Sequence, residues 1–342
     1  MMSGCGGPGP SDAKSTATSD SSPDGNHGPI RVIATVGMVA DLVRQIGGDQ
    51  VQVKQLMGPG VDPHLYQGNR DDMQQILASD ICFASGLMLE GRLNSTLTQL
   101  GKQKPVFAVA DLALKVGLLN AHLMDDHHPD PHVWMDIEAW SSCAEIVKEK
   151  LVEFDPQNAS LYQERSVSLR QQLKALHEYG RSCVASIPES RRVLITSHDA
   201  FGYFGRAYGI QVIGVQGIST DSEAGLQRIN DLVDLLVSRK VTAVFVESSV
   251  PAKNMQALID GAAARGQPIV IGGELYSDAM GPEGSWEGTY VGMLDHNITT
   301  ITRALGGTAP ERGFAGRLPA GSATSGSPAS ESSSPTQQTQ AP

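Results

Sequence analysis

Short β-branched runs alternate with helical stretches along most of this chain, and the alternation stops once, in the middle. Residues 30–36, 51–56, 81–84 and 105–109 read as strands, with helices over 39–46, 70–78 and 137–154. Asn69 stands where it can cap the second of these helices. The pattern then resumes, with strands over 193–196, 211–215, 241–246 and 268–271 and helices over 200–208, 225–239, 252–265 and 287–305. Strands alternating with helices of this kind mean βαβ units and parallel sheets, so the chain is α/β. Two such runs imply two βα lobes.

From 156 to 186 there is no strand signal. Pro156 suits a first helical turn with Asp155 as its cap. Leu161, Val167, Leu169, Leu173 and Leu176 recur at roughly helical spacing, with no Gly before Gly180 and no Pro before Pro188. Some 30 helical residues span roughly 45 Å at 1.5 Å per residue. That is the length of a rigid strut joining two lobes; the competing expectation is two ordinary helices with a break near Gly180.

The ends differ in composition from the body. Residues 1–29 are mostly Gly, Ser, Pro, Asp and Ala, and from Pro319 onward no apolar residue is larger than Ala. Such segments bury too little surface to offset their conformational entropy, so both are expected to be disordered. The division that follows is a leader over 1–29, a lobe over 30–155, a linking helix over 156–187, a second lobe over 188–313 and a tail over 314–342. Within the leader, Met2-Ser3-Gly4-Cys5 resembles the end of a lipoprotein signal peptide, although no apolar h-region precedes it in this sequence. The Gly/Ser/Pro/Asp spacer behind Cys5 suits an anchored protein. Cys82, Cys143 and Cys183 are far apart and form no C-x-x-C pair, which argues against a thiolate zinc site or a disulfide framework. Lys and Arg number 26 against 37 Asp and Glu, a net charge of −11. A nucleic-acid-wrapping role, which needs clustered cations, is excluded as the main task. No apolar run reaches the ~20 residues of a membrane-spanning helix.

Three histidines and one aspartate stand where strand-like runs give way to loops. His64 closes Gly58-Pro59-Gly60-Val61-Asp62-Pro63-His64, and His132 lies in Asp130-Pro131-His132-Val133-Trp134-Met135-Asp136. His198 directly follows Val193-Leu194-Ile195-Thr196-Ser197, and Asp278 follows Gly272-Gly273-Glu274-Leu275-Tyr276-Ser277. In parallel α/β sheets the carboxyl ends of strands face the ligand crevice, so these side chains converge if the two lobes face each other. His64 and His132 share the frame Asp-Pro-His, in which proline stiffens the backbone before a ligand. Three imidazoles and a carboxylate suit Zn²⁺, and they also suit Mn²⁺.

With these motifs in view the chain resembles the cluster A-I solute-binding proteins, the zinc- and manganese-capturing subunits of bacterial ABC importers. The resemblance rests on Val61-Asp62-Pro63-His64, on the segment from Asp130 to Asp136, and on Ser197-His198-Asp199-Ala200-Phe201-Gly202-Tyr203-Phe204. Phe245-Val246-Glu247 and Leu275-Tyr276-Ser277-Asp278-Ala279-Met280-Gly281 extend it, in order, over the body from about Ile30 to Leu305. It implies two βα lobes joined by one long rigid helix, with the metal between the lobes and His64, His132, His198 and Asp278 as its ligands. It implies no enzymatic activity, a membrane permease as partner and a monomer outside the cytoplasm; Cys5 reads either as a lipid anchor or as an incidental cysteine in a flexible leader. His198 stands where some manganese members carry Glu, so the chain looks closer to the treponemal three-His-plus-Asp type. Zinc-specific members often carry a long His-rich loop before the second ligand. Here His122-Leu123-Met124-Asp125-Asp126-His127-His128 is short, and reads either as a metal-collecting loop or as a plain polar loop.

Glu247 ends a strand on the crevice side and could orient a ligand histidine. Glu223 could lie behind the ligands or act as a charge at a helix N-terminus. Trp134 and Tyr276 are expected to pack around and seal the site. The rival from another class is a metal-dependent hydrolase, with three histidines on a catalytic zinc and water in the fourth position. No H-E-x-x-H pattern occurs, and Asp278 would fill the position such an enzyme keeps open. An adhesin-like surface role is a third expectation, suggested by the resemblance alone.

Overall fold

A computed structural model describes residues 28–122 and 129–320. The first half runs β1 (Ile30–Ala34), α1 (Gly37–Gly47), β2 (Val51–Gln55), α2 (Arg70–Ala78), β3 (Ile81–Ala84), α3 (Asn94–Leu100), β4 (Val106–Ala108), α4 (Val109–Lys115) and α5 (Ile137–Phe154). A 27-residue helix, α6 (Ala159–Ala185), follows. The second half runs β5 (Val193–Thr196), α7 (Gly202–Tyr208), β6 (Gln211–Gly214), α8 (Leu226–Ser238), β7 (Ala243–Glu247), α9 (Lys253–Ala264), β8 (Val270–Leu275) and α10 (Tyr290–Ala304).

Every named strand pairing is parallel. The first sheet has the order β2-β1-β3-β4, with Ile30 opposite Val51, Val32 opposite Ile81 and Cys82 opposite Val106. All four residues of β3 are buried, as a parallel strand covered on both faces requires. In the second half β5 pairs with β6 and β7 with β8, and β5 packs beside β7. The expected strands and helices are present, with small shifts at their ends. At Asn69 the cap forms as anticipated: its carboxamide oxygen accepts the backbone N–H groups of Asp71 and Asp72, and the Asp72 carboxylate returns to the Asn69 N–H. Two seven-residue helices, α3 and α4, carry no side-chain cap and too few turns to show a period, and the sequence pattern did not announce them. The buried cysteines 82, 143 and 183 are all free.

The strut is continuous. Gly180 does not break α6; a side chain there would sit about 3.0 Å from Ile298 Cδ1 and Tyr208 Cζ, so glycine lets α6 approach α7 and α10 closely. Tyr162, Ser166, Leu169, Leu173, Leu176, Gly180 and Cys183 are buried along α6, alternating steps of four and three residues. That stripe packs against α1 and α5 of the first half and α7 and α10 of the second. Leu161 and Val167 fall off the stripe and are exposed. Asp155 makes no backbone cap; its carboxylate accepts from Asn158 Nδ2 and Tyr162 Oη, each at 2.7 Å.

The packed body also runs beyond Gly313, where the tail was expected to begin. The Phe314 N–H donates to Asp295 Oδ1 at 2.6 Å, its ring lies 5.4 Å from that of Tyr179, and Leu318 is buried. The buried Asp295 carboxylate and the Tyr179 ring help to hold this segment, which composition alone does not reveal. The leader up to residue 27, the tail from 321 and residues 123–128 lie outside the described residues.

Truncating the seam should cost far more than truncating an exposed leucine beside it. Leu176→Ala removes a fully buried side chain and should lower the unfolding free energy by about 2–5 kcal/mol. Leu161→Ala should stay within about 0.5 kcal/mol of the parent. Urea midpoints of the two variants check this.

Candidate metal centre

Four chain segments bring His64, His132, His198 and Asp278 together, all buried, with one ligand atom from each lying within 4.8 Å of the others. His64 arrives on the loop after β2. His198 lies two residues past β5, and Asp278 three residues past β8. His132 differs from the expectation: it follows no strand, but sits on the loop between α4 and α5 that tightens into a turn at Val133–Met135. His64 Nε2 is 3.2 Å from His132 Nε2. Asp278 Oδ1 is 3.3 Å from His132 Nε2, and Asp278 Oδ2 is 3.2 Å from His198 Nε2 and 3.8 Å from His64 Nε2. A tetrahedron around an ion with bonds of about 2.0–2.1 Å has edges of roughly 3.3–3.4 Å, close to this spacing.

Behind two of the imidazoles stand carboxylates. His132 Nδ1 is 2.7 Å from Asp130 Oδ1, and His198 Nδ1 is 2.6 Å from Glu247 Oε2. A carboxylate oxygen accepts, so each Nδ1 carries the hydrogen and each Nε2 is turned toward the cluster. The same carboxylates hold the backbone, Asp130 Oδ1 accepting the His132 N–H at 2.9 Å and Glu247 Oε1 the His198 N–H at 2.9 Å. Both oxygens of Asp278 and the Nε2 of His198 are buried without a hydrogen-bond partner. Such atoms cost about 1–3 kcal/mol each when nothing satisfies them. A cation at their centre would satisfy all three.

Burial lowers the His64 imidazole to about 4. Burial acts the same way on His132, but Asp130 and Asp278 outweigh it and raise that imidazole to about 9. His198 is held well above the ordinary histidine value because Glu247 and Asp278 together overcome its burial. Burial would raise Asp278, yet the imidazoles of His198 and His132 hold it well below the usual carboxylate range.

Residues 32–304 match the family described as ZnuA, zinc-uptake complex component A, periplasmic. This chain belongs to that family. It is 44% identical over 276 residues to the manganese-binding lipoprotein MntA of Bacillus subtilis, covering 81% of this chain and 90% of that protein. To the zinc-binding protein TroA of Treponema pallidum it is 43% identical over 274 residues, covering 80% and 88%. The solved structure of the periplasmic zinc-binding protein TroA from Treponema pallidum superposes with a TM-score of 0.79 at 44% identity, over 81% of this chain and 99% of that one. The ZnuA-family fold, with two lobes of parallel sheet and helices, is therefore the fold of this chain.

Around this ZnuA-family cluster the other expected residues sort clearly. Glu247 does hold His198. Trp134 is buried edge-on to His132 and donates its Nε1–H to the Ser277 carbonyl at 2.9 Å, tying the His132 loop to the Asp278 loop. Tyr276 is gripped from both sides of its peptide by Asn297, whose Oδ1 accepts the Tyr276 N–H and whose Nδ2 donates to its carbonyl. Glu223 lies far out, exposed and 3.7 Å from Lys253, and is neither behind the ligands nor within the first turn of α8. Of the short His-rich stretch only His122 is described; its N–H donates to Tyr203 Oη at 3.0 Å, and the remainder falls in residues 123–128. Sequence reasoning gave no role to Asp130, Asp62 or Asn297. The signal for the first two was present, since an aspartate two residues before each histidine can accept that histidine's N–H. Asn297 carried no local signal.

Glu247→Gln keeps the shape of the side chain and removes the charge that offsets burial. The His198 imidazole of the metal-free variant should then titrate lower than in the parent, with Asp278 alone left to offset its burial. Imidazole proton shifts followed through a pH titration check this, and an unmoved His198 would contradict it.

Proposed function

We propose that this protein captures Zn²⁺ or Mn²⁺ outside the cytoplasm and delivers the ion to the membrane permease of an ABC importer, with His64, His132, His198 and Asp278 as the ligands. The observation that carries this reading is the buried, unpartnered donor set of Asp278 and His198 facing His64 and His132. Membership of the ZnuA family supports the transport role, and the names of the two relatives, one for manganese and one for zinc, support both ions as cargo. Asp278 presents both oxygens to the imidazoles, so the carboxylate can bind through one oxygen or two. Four donors suit tetrahedral zinc, and a second carboxylate oxygen suits the oxygen preference of manganese.

The hydrolase alternative has no support. Asp278 closes the position where a catalytic zinc would hold water, and the family is one of binding proteins. The lobes are 30–155 and 188–313, linked by 156–187, with the packed 314–318 segment added to the second, and the protein acts as a monomer. Cys5 is the lipid attachment site; the relatives named as lipoproteins support an anchored, extracytoplasmic location.

The deciding experiment is metal content by mass spectrometry on protein purified natively from its own cells, beside His198→Ala. About one zinc or manganese per chain, absent from the variant, is expected. Metal retained by the variant, or none in the parent, would overturn the ligand assignment.

Metal competes with protons for the same nitrogens. With His132 raised to about 9, its imidazole holds a proton at neutral pH that the ion must expel. Apparent affinity should therefore fall as pH drops below about 9, with protons released on binding. Calorimetric titration in buffers of different ionisation enthalpy measures that release, and zero release at neutral pH would refute it.

A further inference from the structure

Two of the three imidazoles are steadied by a carboxylate at Nδ1; His64 is held differently. Its backbone N–H donates to Asp62 Oδ1 at 2.8 Å, which places the residue through its main chain. The other oxygen of Asp62 is taken from across the crevice, where the Thr220 hydroxyl donates to Asp62 Oδ2 at 2.5 Å, the length of a charge-assisted bond. Thr220 is itself buried and belongs to the second half of the chain, in the loop after β6. That loop is fastened to the segment carrying His198: the Gln216 N–H donates to the Ser197 carbonyl at 3.0 Å, and the Asp199 N–H donates to the Gly217 carbonyl at 3.2 Å. A path of hydrogen bonds joined by the 217–220 loop backbone thus runs from the His198 wall through Thr220 and Asp62 to His64.

Resting on the metal-capture reading, we propose that Thr220 is a positioning residue, whose hydroxyl transmits the approach of the second lobe to His64 through Asp62. With the lobes together, Thr220 anchors Asp62 and Asp62 sets the height of His64 over the other ligands. When the lobes part, this bond breaks and His64 loses its support, although no atom of Thr220 touches the ion. Coupling of this kind places control of ion release in the rate of dissociation. The two supporting carboxylates on the other imidazoles are unaffected, because each lies on the same side of the crevice as its histidine: Asp130 on the His132 loop, and Glu247 at the end of β7 beside β5.

The test uses Thr220→Val, which replaces the hydroxyl by a methyl of similar size, with Thr220→Ser, Asp62→Asn and the Asp62→Asn/Thr220→Val double variant. Zinc dissociation into excess chromogenic chelator and zinc association are followed by stopped flow on the full chain. Thr220→Val should release zinc about tenfold faster with association unchanged, the size expected for one lost hydrogen bond to a charged group. Thr220→Ser should restore the parent rate. The double variant should dissociate no faster than the faster single variant, because both act along one path. Unchanged dissociation in Thr220→Val, or additive effects in the double variant, would overturn the role of Thr220 while leaving the metal site standing. A parent protein that binds no zinc would instead remove the capture reading itself, and the Thr220 role with it.

Discussion

Three imidazoles and a carboxylate share one small buried volume, and everything else in the structure can be understood as keeping them there. Left alone, such a cluster leaves buried atoms of Asp278 and His198 without hydrogen-bond partners. A divalent cation would take up all of these donors at once, expelling the proton that His132 holds at neutral pH. The cluster is then a site only as long as the chain resists relaxing it.

Resistance comes at two levels. Close to the site, Asp130 and Glu247 fix the orientation and tautomer of His132 and His198, while Trp134 and Asn297 hold the loop that carries Asp278. Each of these supports is a directional bond, which restrains geometry far better than apolar contact does. Further out, α6 packs one continuous stripe against helices of both halves. A helix of this length seated along both lobes limits how far they can part, so small changes at the crevice bonds suffice to decide whether the ligands meet. The link between Thr220 and Asp62 is one such bond, and Asp62 in turn accepts the His64 backbone N–H.

Much of this was legible in the order of residues. The alternation of short strands and helices located nearly all the long elements, and Asn69, with Asp72 three residues on, marked a helix start that forms as read. The four candidate ligands were visible through their frames, Asp-Pro-His twice and a histidine and an aspartate just beyond β-branched runs. Other features were not. The buried stripe of α6 includes Tyr162, Ser166 and Gly180, residue types that do not announce a core, while Leu161 and Val167 proved to be exposed. Packing of the 314–318 segment draws on distant partners, the Asp295 carboxylate and the Tyr179 ring among them, which composition does not report.

The sequence by itself determined the fold class, the strut and the identity of the four ligand candidates, because hydrophobic period and residue chemistry are local properties. Tertiary structure decided which carboxylates stand behind which imidazoles, that His132 reaches the site without a strand, and that Asp62 is met by Thr220. Those contacts join residues separated by 49 positions between His198 and Glu247 and by 158 between Asp62 and Thr220. At such separations nothing in the local pattern specifies a partner; only the packing of two lobes around one helix brings the groups within bonding distance.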